Sequence, residues 1–349
     1  MPATITDVGE FILDFIRLHP DCSSKDISES PENKVGYATI KRGIQGLLSK
    51  NLITAIGKGK ATRYEISKTY ELLHSIDTEQ YFEKEIDDRE IKSRFNQSLL
   101  REILVNVSLF SETELSDLNI HQQKFKENVS KLSKTEFKKE FERLAIDLSW
   151  KSSQIEGNTY SLLETERLLK EKETASGKTK DEASMLLNHK EALDFILTHP
   201  KYIHPLSISR IEDIHSILVK DLNVSRNVRT RRVGISGTNY QPPDNEFQIK
   251  EAMNDMCELV NNHEIIFDKA LLVLMLISYI QPFADGNKRT ARIISNAVLI
   301  NNQYCPISFR TVDSLAYKKA LLIFYEQNNI SAFKKIFIDQ FEFAVNTYF

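Results

Sequence analysis

The sequence predicts a mainly α-helical protein built from two or three folded units. The chain has 349 residues, more than one typical domain contains. Glycine and proline are scarce, at 11 and 9 residues. Long stretches repeat apolar residues with the period of a helix, whereas strand-like alternation is confined to short segments. A hydrophobic fraction of 41% supplies enough apolar surface for a core.

Composition excludes several classes of protein. Cys22, Cys257 and Cys305 are far apart and form no CxxC pair, which argues against a disulfide framework and a zinc site. The opening "MPATITDVGEF" is acidic where a secretory signal is basic, and no apolar run approaches the ~20 residues that span a membrane. We therefore expect a cytoplasmic protein without membrane contact. A net charge of -3 argues against a generally basic surface but leaves a local patch open.

Residues 1–68 are predicted to form helices at 11–18, 24–29 and 37–50, then two short strands around "AIGKGKATRYEIS". This order resembles a winged helix-turn-helix domain, whose third helix enters a DNA groove and whose hairpin contacts phosphate. The candidate contact residues are Lys41, Arg42, Lys58, Lys60 and Arg63. Ten basic against eight acidic residues is a weak excess for a DNA-binding domain. DNA and a protein partner both remain open.

Residues 69–146 are predicted to be a helical connecting region. "EKEIDDREIKSRF" and "KTEFKKEFERL" alternate in charge and are expected to form solvated helix faces. The third part, residues 147–349, carries the chemistry.

The run "ALLVLMLISYI" (270–280) is apolar on every side and predicts a core helix that stops before Pro282. A second helix begins near Asn287, so Lys288, Arg289 and Arg292 fall in its first turns. Cations are unfavourable there because the helix dipole is positive, so an anion is expected to compensate them.

The free N–H groups at this helix start, with a glycine that lets a ligand approach, predict a phosphate site at Gly286, Asn287 and Lys288. In the alternative, Asp285 or Asn287 merely caps the helix and the arginines extend into water.

"QPFADGNKRTAR" (281–292) resembles the signature of the Fic-domain family, H-P-F-x-[DE]-G-N-[GK]-R-x-x-R, at every fixed position except the first. The resemblance implies an all-helical core that binds ATP with Mg²⁺ and transfers AMP to a hydroxyl side chain of a target protein. It implies that Asp285 holds Mg²⁺ and that the Gly286 to Lys288 amides, with Asn287, bind the α-phosphate. Arg289 and Arg292 would face the outer phosphates. A homodimer is a further expectation from the family.

Two further segments extend the resemblance over about the last 200 residues. "SSQIEG" matches the inhibitory motif of the family at Ser152, Glu156 and Gly157. The implied role of the glutamate is to pair with Arg292 and obstruct the ATP γ-phosphate. "RRVGISGTNYQPP" (231–243) lies where the family has a flap, a β-hairpin that holds the target by strand addition. The flap residues are Val233, Gly234, Ile235, Gly237, Thr238 and Tyr240.

Two positions depart from the family. Gln281 replaces the histidine that accepts the proton of the target hydroxyl, and a glutamine cannot act as a general base near neutral pH. Lys288 replaces the commoner glycine, and a lysine there accompanies kinase-like transfer in some relatives.

Three functions stay open: an impaired, autoinhibited AMP-transferase; an inactive nucleotide-binding regulator whose winged helix binds DNA; and a de-AMPylase or kinase-like enzyme. His215 is expected to be a core residue.

Overall fold

The computed structural model describes residues 5–349 and divides the chain into two compact units, Met1–Ser75 and Ile76–Phe349. The first unit contains α1 (Ile5–Leu18), α2 (Ser24–Glu29), α3 (Tyr37–Ser49), β1 (Ile53–Ile56), β2 (Arg63–Ile66) and α4 (Lys68–Leu73). The second unit begins with α5 (Thr78–Phe82), α6 (Glu112–Lys131), α7 (Lys134–Ile155), α8 (Leu162–Glu171) and α9 (Lys180–Thr198). It continues with α10 (Ile208–Leu218), α11 (Glu246–Asn262), α12 (Ile266–Ile280), α13 (Asn287–Asn301), α14 (Ser314–Gln327) and α15 (Ser331–Tyr348). Mainly helical structure was predicted and is confirmed.

The first unit has the predicted order of three helices and two strands. Apolar residues at helical spacing in α1 and α3 pack together, with Ile12, Ile40 and Ile44 almost fully buried. Ser23 begins α2 with a capping box, in which its side chain accepts from the Asp26 N–H and Asp26 accepts from the Ser23 N–H. The strands pair antiparallel.

The second unit is organised around α12 and α13. Every residue of α12 from Ala270 to Ile280 is buried, as a helix that is apolar on all sides requires. α13 packs along it, and α9, α10 and α14 lie around the pair. The loop between α12 and α13 is therefore held between two core helices. No helix within residues 5–349 is both long and apolar enough to cross a membrane.

The unit boundaries differ from the expected division at residues 68 and 146. α4 extends the first unit to Ser75, and residues 76–146 cluster with the second unit. The expected boundary at 146 falls inside α7, so the charged region has no linker at its end.

Two local expectations are corrected. "EKEIDDREIKSRF" (83–95) is not a helix: it contains one 3₁₀ turn at Ile86–Asp88, because its polar groups bond to distant segments instead of to a helix ladder. We call residues 77–96 the strap. Residues 231–243, the flap, are not a paired β-hairpin either: they contain no strand, and Gln241 bonds to the strap at Ser93 and Phe95.

Candidate functional site

The loop that joins α12 to α13 begins at Gln281 in an unusual conformation. Gln281 caps α12 with φ 50° and ψ 57°, the left-handed region that L residues rarely occupy. Its N–H still donates to the Ile277 carbonyl at 3.0 Å, and Pro282 then prevents the helix from continuing. Its side chain is held at both ends, since Nε2 donates to the Ser278 carbonyl at 2.6 Å and Oε1 accepts from Asn287 Nδ2 at 2.9 Å.

Asn287 closes the loop. Its Oδ1 accepts from the Phe283 N–H at 2.8 Å and its Nδ2 donates to the Phe283 carbonyl at 2.8 Å. With the bond to Gln281, the buried amide is fully used inside the protein. The sequence placed the Asn287 side chain on a phosphate; the structure gives it the task of shaping the loop, and leaves its backbone N–H at the helix start.

Phe283 and His215 support the loop from below. The two rings stack at 3.7 Å with an interplanar angle of 5°. His215 Nε2 lies 3.3 Å from the Ser225 carbonyl, which can only accept, so Nε2 carries the proton and Nδ1 accepts from the Thr290 hydroxyl at 3.0 Å. Burial lowers the pKa of His215 to about 4. The expected core role of His215 is confirmed by its complete burial.

Gly286 begins α13 with φ 77°. A Cβ there would lie 3.2 Å from His215 Cε1 and 3.4 Å from both Val219 Cγ1 and Arg289 Nη2. Glycine is therefore required both by the backbone angle and by the neighbours.

Arg289 and Arg292 are buried although both are cationic, with 1% and 0% of their surfaces exposed. Arg289 donates to the Leu218 carbonyl at 3.4 Å and pairs with Asp285 at 3.1 Å. Arg289 Nε and Arg292 Nη1 are buried donors without a hydrogen-bond acceptor among the described residues. Such donors are costly unless an anion reaches them.

Glu156 forms ion pairs with both Arg292 and Lys288. Its Oε1 lies 2.9 Å from Arg292 Nη2, and its Oε2 lies 3.2 Å from Lys288 Nζ. Burial alone would raise the pKa of Glu156, but Arg292 and Lys288 lower it more, so its pKa lies below the ordinary value. The carboxylate is therefore ionised at neutral pH.

The end of α7 delivers Glu156 to this position. Ser152 Oγ accepts from Arg292 Nε at 2.8 Å, and the Ser152 carbonyl accepts from Arg292 Nη2 at 2.9 Å. α7 ends at Ile155 with Glu156 as its C-cap residue, and Gly157 follows with φ 98°. The structure thus brings Ser152 and Glu156 of the "SxxxEG" pattern to α13, while Gly157 follows the end of α7.

Arg229 is a site residue that sequence reasoning missed. Its Nε donates to the Gln281 carbonyl at 2.7 Å, Nη1 donates to the Arg231 carbonyl at 2.7 Å, and Nη2 donates to the Pro243 carbonyl at 2.8 Å. The buried guanidinium therefore ties both ends of the flap to the loop. Nothing in the local pattern "VRTRRVG" distinguishes it from its neighbours.

A cleft of about 640 Å³ opens at the corner. Gln281, Lys288 and Glu156 line its floor, and flap residues 234–237 line one wall. Strap residues and α14 complete it, from Phe82 to Arg89 and from Leu315 to Tyr325. Tyr240, predicted as a target contact, instead faces the core, where its hydroxyl donates to the Tyr279 carbonyl at 3.0 Å.

The hydrogen-bond donors of this corner fit the phosphates of a nucleoside triphosphate. The start of α13 presents free N–H groups beside two buried arginines, each with an unsatisfied donor. Asp285 is the one carboxylate of the loop, and 67% of its side chain is exposed. The described residues contain no cluster of three or more metal-binding side chains. A single carboxylate suits Mg²⁺, which commonly takes its remaining ligands from water and substrate phosphates.

Comparisons with known proteins agree with this geometry. Residues 205–299 match the model of the Fic/DOC family. "Protein adenylyltransferase Fic" of Nematostella vectensis is 31% identical over 175 residues, 49% of this chain and 41% of its own length. "Protein adenylyltransferase fic-1" of Caenorhabditis elegans is 24% identical over 159 residues, 44% of this chain and 31% of its own length. The chain thus matches less than half the length of these relatives.

Solved structures show the same fold. Fic-1 of C. elegans (residues 134–508) superposes with a TM-score of 0.59 at 19% identity, covering 68% of this chain and 72% of that one. A Fic domain containing signaling protein of Bacteroides thetaiotaomicron gives a TM-score of 0.57 at 21% identity, covering 66% of this chain and 94% of that one. The second unit therefore has the fold of these solved Fic proteins, and residues 205–299 within it match the Fic/DOC model.

Proposed function

We propose that the second unit is a Fic-type AMP-transferase that binds ATP and Mg²⁺, is held inactive by Glu156, and lacks its proton acceptor because of Gln281. One observation carries the proposal: Glu156 pairs with both Arg292 and Lys288 at the start of α13, where the family resemblance implies a phosphate site. The names of the relatives support the transferred group.

In this proposal each residue of the site has a distinct role. The N–H groups of Gly286 to Lys288 would bind a phosphate at the helix start, and Arg289 would stabilise the negative charge that develops there. Asp285 would hold Mg²⁺, which when bound neutralises phosphate charge and orients the nucleotide. The flap would hold a target chain so that its hydroxyl group faces the α-phosphate. Gln281 stands where that hydroxyl must lose a proton, and its amide cannot accept one.

Calorimetric titration of ATP with Mg²⁺ tests the inhibitory contact. We expect Glu156→Gly and Glu156→Gln to bind ATP about tenfold or more tightly than the parent, because an ionised carboxylate no longer repels phosphate or masks Arg292 and Lys288. Glu171→Gln, which neutralises an exposed glutamate at the end of α8, is the matched control and should bind like the parent. Equal affinities in all four proteins would contradict the assignment of Glu156.

An inactive nucleotide-binding regulator is the second candidate function. The observation that favours it is that both the nitrogen and the oxygen of the Gln281 amide are engaged in hydrogen bonds within the protein. Both candidates require ATP binding, and they differ in whether any substitution restores transfer. In either case a target protein, DNA at the first unit and a homodimer are partners to be tested, and kinase-like transfer and de-AMPylation are the competing chemistries.

A further inference from the structure

The strap contacts the second arm of the flap, which we define as residues 238–241. The Gln241 N–H donates to the Ser93 carbonyl at 2.9 Å, and the Phe95 N–H donates to the Gln241 carbonyl at 3.1 Å. Arg94 and Gln241 thereby form an isolated parallel bridge. The flap is therefore held to the strap by backbone pairing at Gln241.

Arg89 ties the flap tip to α14. Its Nη2 donates to the Gly237 carbonyl at 2.8 Å, and its Nη1 lies 3.3 Å from Glu326 Oε1. The two side chains are 3% and 0% exposed. The Tyr81 hydroxyl donates to the other Glu326 oxygen at 2.7 Å. The tip is therefore fixed through a buried charge pair.

Two further sets of hydrogen bonds also connect the flap to the strap. Asn239 Nδ2 donates to Asp87 Oδ1 at 3.0 Å on the surface. Tyr279 joins the flap to the far end of the strap, since its carbonyl accepts from Tyr240 and its hydroxyl accepts from the Asn96 N–H at 3.0 Å. Tyr279 lies two residues before Gln281, so these bonds connect the flap to the helix end that carries the site.

The first arm of the flap, residues 232–236, is not paired with another segment of the described chain. Among the described residues, its backbone N–H and C=O groups make no hydrogen bond within the protein. Gly234, Ile235 and Ser236 line the cleft together with Gln281 and Lys288. A flap held along one edge thus has its unpaired edge beside the phosphate site, and an unpaired edge accepts another strand.

We propose that Arg89 is a positioning residue for the target protein: it holds the flap tip against α14 so that the first arm stays open for one extended segment of the target. The proposal rests on the transferase function proposed above. Arg89 acts through the flap and not on the nucleotide, so its loss should raise KM for the target while the affinity for ATP stays the same.

Hydrogen–deuterium exchange of the full chain tests the structural step. Arg89→Lys keeps a cation beside Glu326 but lacks the fork that also reaches Gly237. We expect the amides of Gln241 and Phe95 to exchange about tenfold faster in Arg89→Lys. Asp87→Ala removes the surface hydrogen bond to Asn239 and leaves no buried charge unpaired. It should also speed the exchange of these amides, but by less. Arg94→Lys, in the same strap but with an exposed side chain, should exchange like the parent.

AMP incorporation into lysate proteins tests the functional step, in a Gln281→His, Glu156→Gly background. With Arg89→Lys added, labelling should fall about tenfold at low lysate concentration and recover as the concentration rises, at unchanged ATP affinity. If the background protein labels nothing, the transferase function is wrong and the role of Arg89 is lost with it. If it labels but Arg89→Lys changes neither exchange nor labelling, or weakens ATP binding in proportion, only the role of Arg89 is wrong.

Discussion

At the residue scale, Gln281 decides whether the corner can accept a proton. Its amide nitrogen donates to Ser278 and its oxygen accepts from Asn287, so the side chain is fixed where the family has histidine. In a histidine at this position, Nδ1–H would replace the donor to Ser278 and leave Nε2 to act as the base. The change removes one hydrogen bond of Asn287, which keeps its two bonds to Phe283, and neither Arg289 nor Arg292 bonds to Gln281.

We therefore predict that Gln281→His combined with Glu156→Gly gains AMP transfer, by about 10²–10⁴ in rate, the usual contribution of a general base. The two changes act on different steps, so the double variant should exceed either single one. The measurement is protein labelling from α-³²P-ATP, followed by mass spectrometry of the modified hydroxyl group.

Asp285→Ala in that double variant is the control and should abolish the gain by removing the Mg²⁺ ligand. Labelling from γ-³²P-ATP instead of α-³²P-ATP would show that Lys288 redirects the chemistry and that the AMP-transfer assignment is wrong.

Lys288 provides a second prediction at this scale. Its ammonium pairs with Glu156 in the structure, so we expect it to contribute little to phosphate binding while the glutamate is present. Lys288→Ala should change the affinity for ATP less than threefold with Glu156 in place, and should weaken it about tenfold in the Glu156→Gly background. Calorimetry on the four proteins of this cycle measures the coupling, and additive effects would contradict a shared contact.

At the scale of elements, the end of α12, the start of α13 and α10 beneath them form one packed layer. Gly286 lies against His215 and Val219, so a methyl group there would make tight contacts that the neighbours must relieve by shifting. Gly286→Ala should lower the Tm and weaken ATP binding, because it combines an unfavourable φ with crowding. Gly177→Ala is a matched control, since Gly177 has φ 75° with nothing within 4 Å of its Cβ position. Equal losses of Tm would show that backbone strain alone is responsible.

The buried imidazole of α10 predicts a pH dependence of stability. The pKa of His215 falls from 6.5 to about 4 on folding, mainly because of burial. Because the folded state holds His215 neutral, its lowered pKa contributes to the free energy of unfolding. This contribution is fully present above pH 6.5 and is lost as the pH falls towards 4. The contribution is about 3 kcal/mol at most. His215→Gln should flatten the decline in the free energy of unfolding between these values, whereas His199→Gln, at an exposed position, should not.

The helices of the site could be predicted from the sequence, but the connections between them could not. α12 and α13 follow from apolar periodicity and from Pro282 and Gly286, which are local signals. The strap was mistaken for a helix face because its charges alternate, although Arg89 is buried against Glu326. The contact of Glu156 with Arg292 spans 136 residues and was available only through the family resemblance. Arg229 gave no signal, since its partners are all carbonyl groups.

At the scale of the whole molecule, the chain joins a unit with the fold of Fic proteins to a separate small unit. Lys41, Arg42, Lys58 and Lys60 are exposed in that unit, and Arg63 is half-buried. Lys58 and Lys60 lie in the turn between β1 and β2, where a winged helix contacts phosphate. The modest basic excess of residues 1–68 means that these few side chains must provide most of any attraction to DNA.

We predict that the full chain with Lys58→Glu and Lys60→Glu binds duplex DNA of random sequence more weakly, with the slope of log affinity against log salt reduced by about 2. Fluorescence anisotropy at several salt concentrations gives both quantities. Lys25→Glu with Lys68→Glu reverses as many charges elsewhere on the same unit and should leave the slope unchanged. If both pairs reduce binding equally, the attraction is nonspecific and the turn has no special role. If the parent chain shows no salt-dependent binding at all, DNA is excluded as the partner, and an acidic protein surface is the partner class that the basic turn then fits.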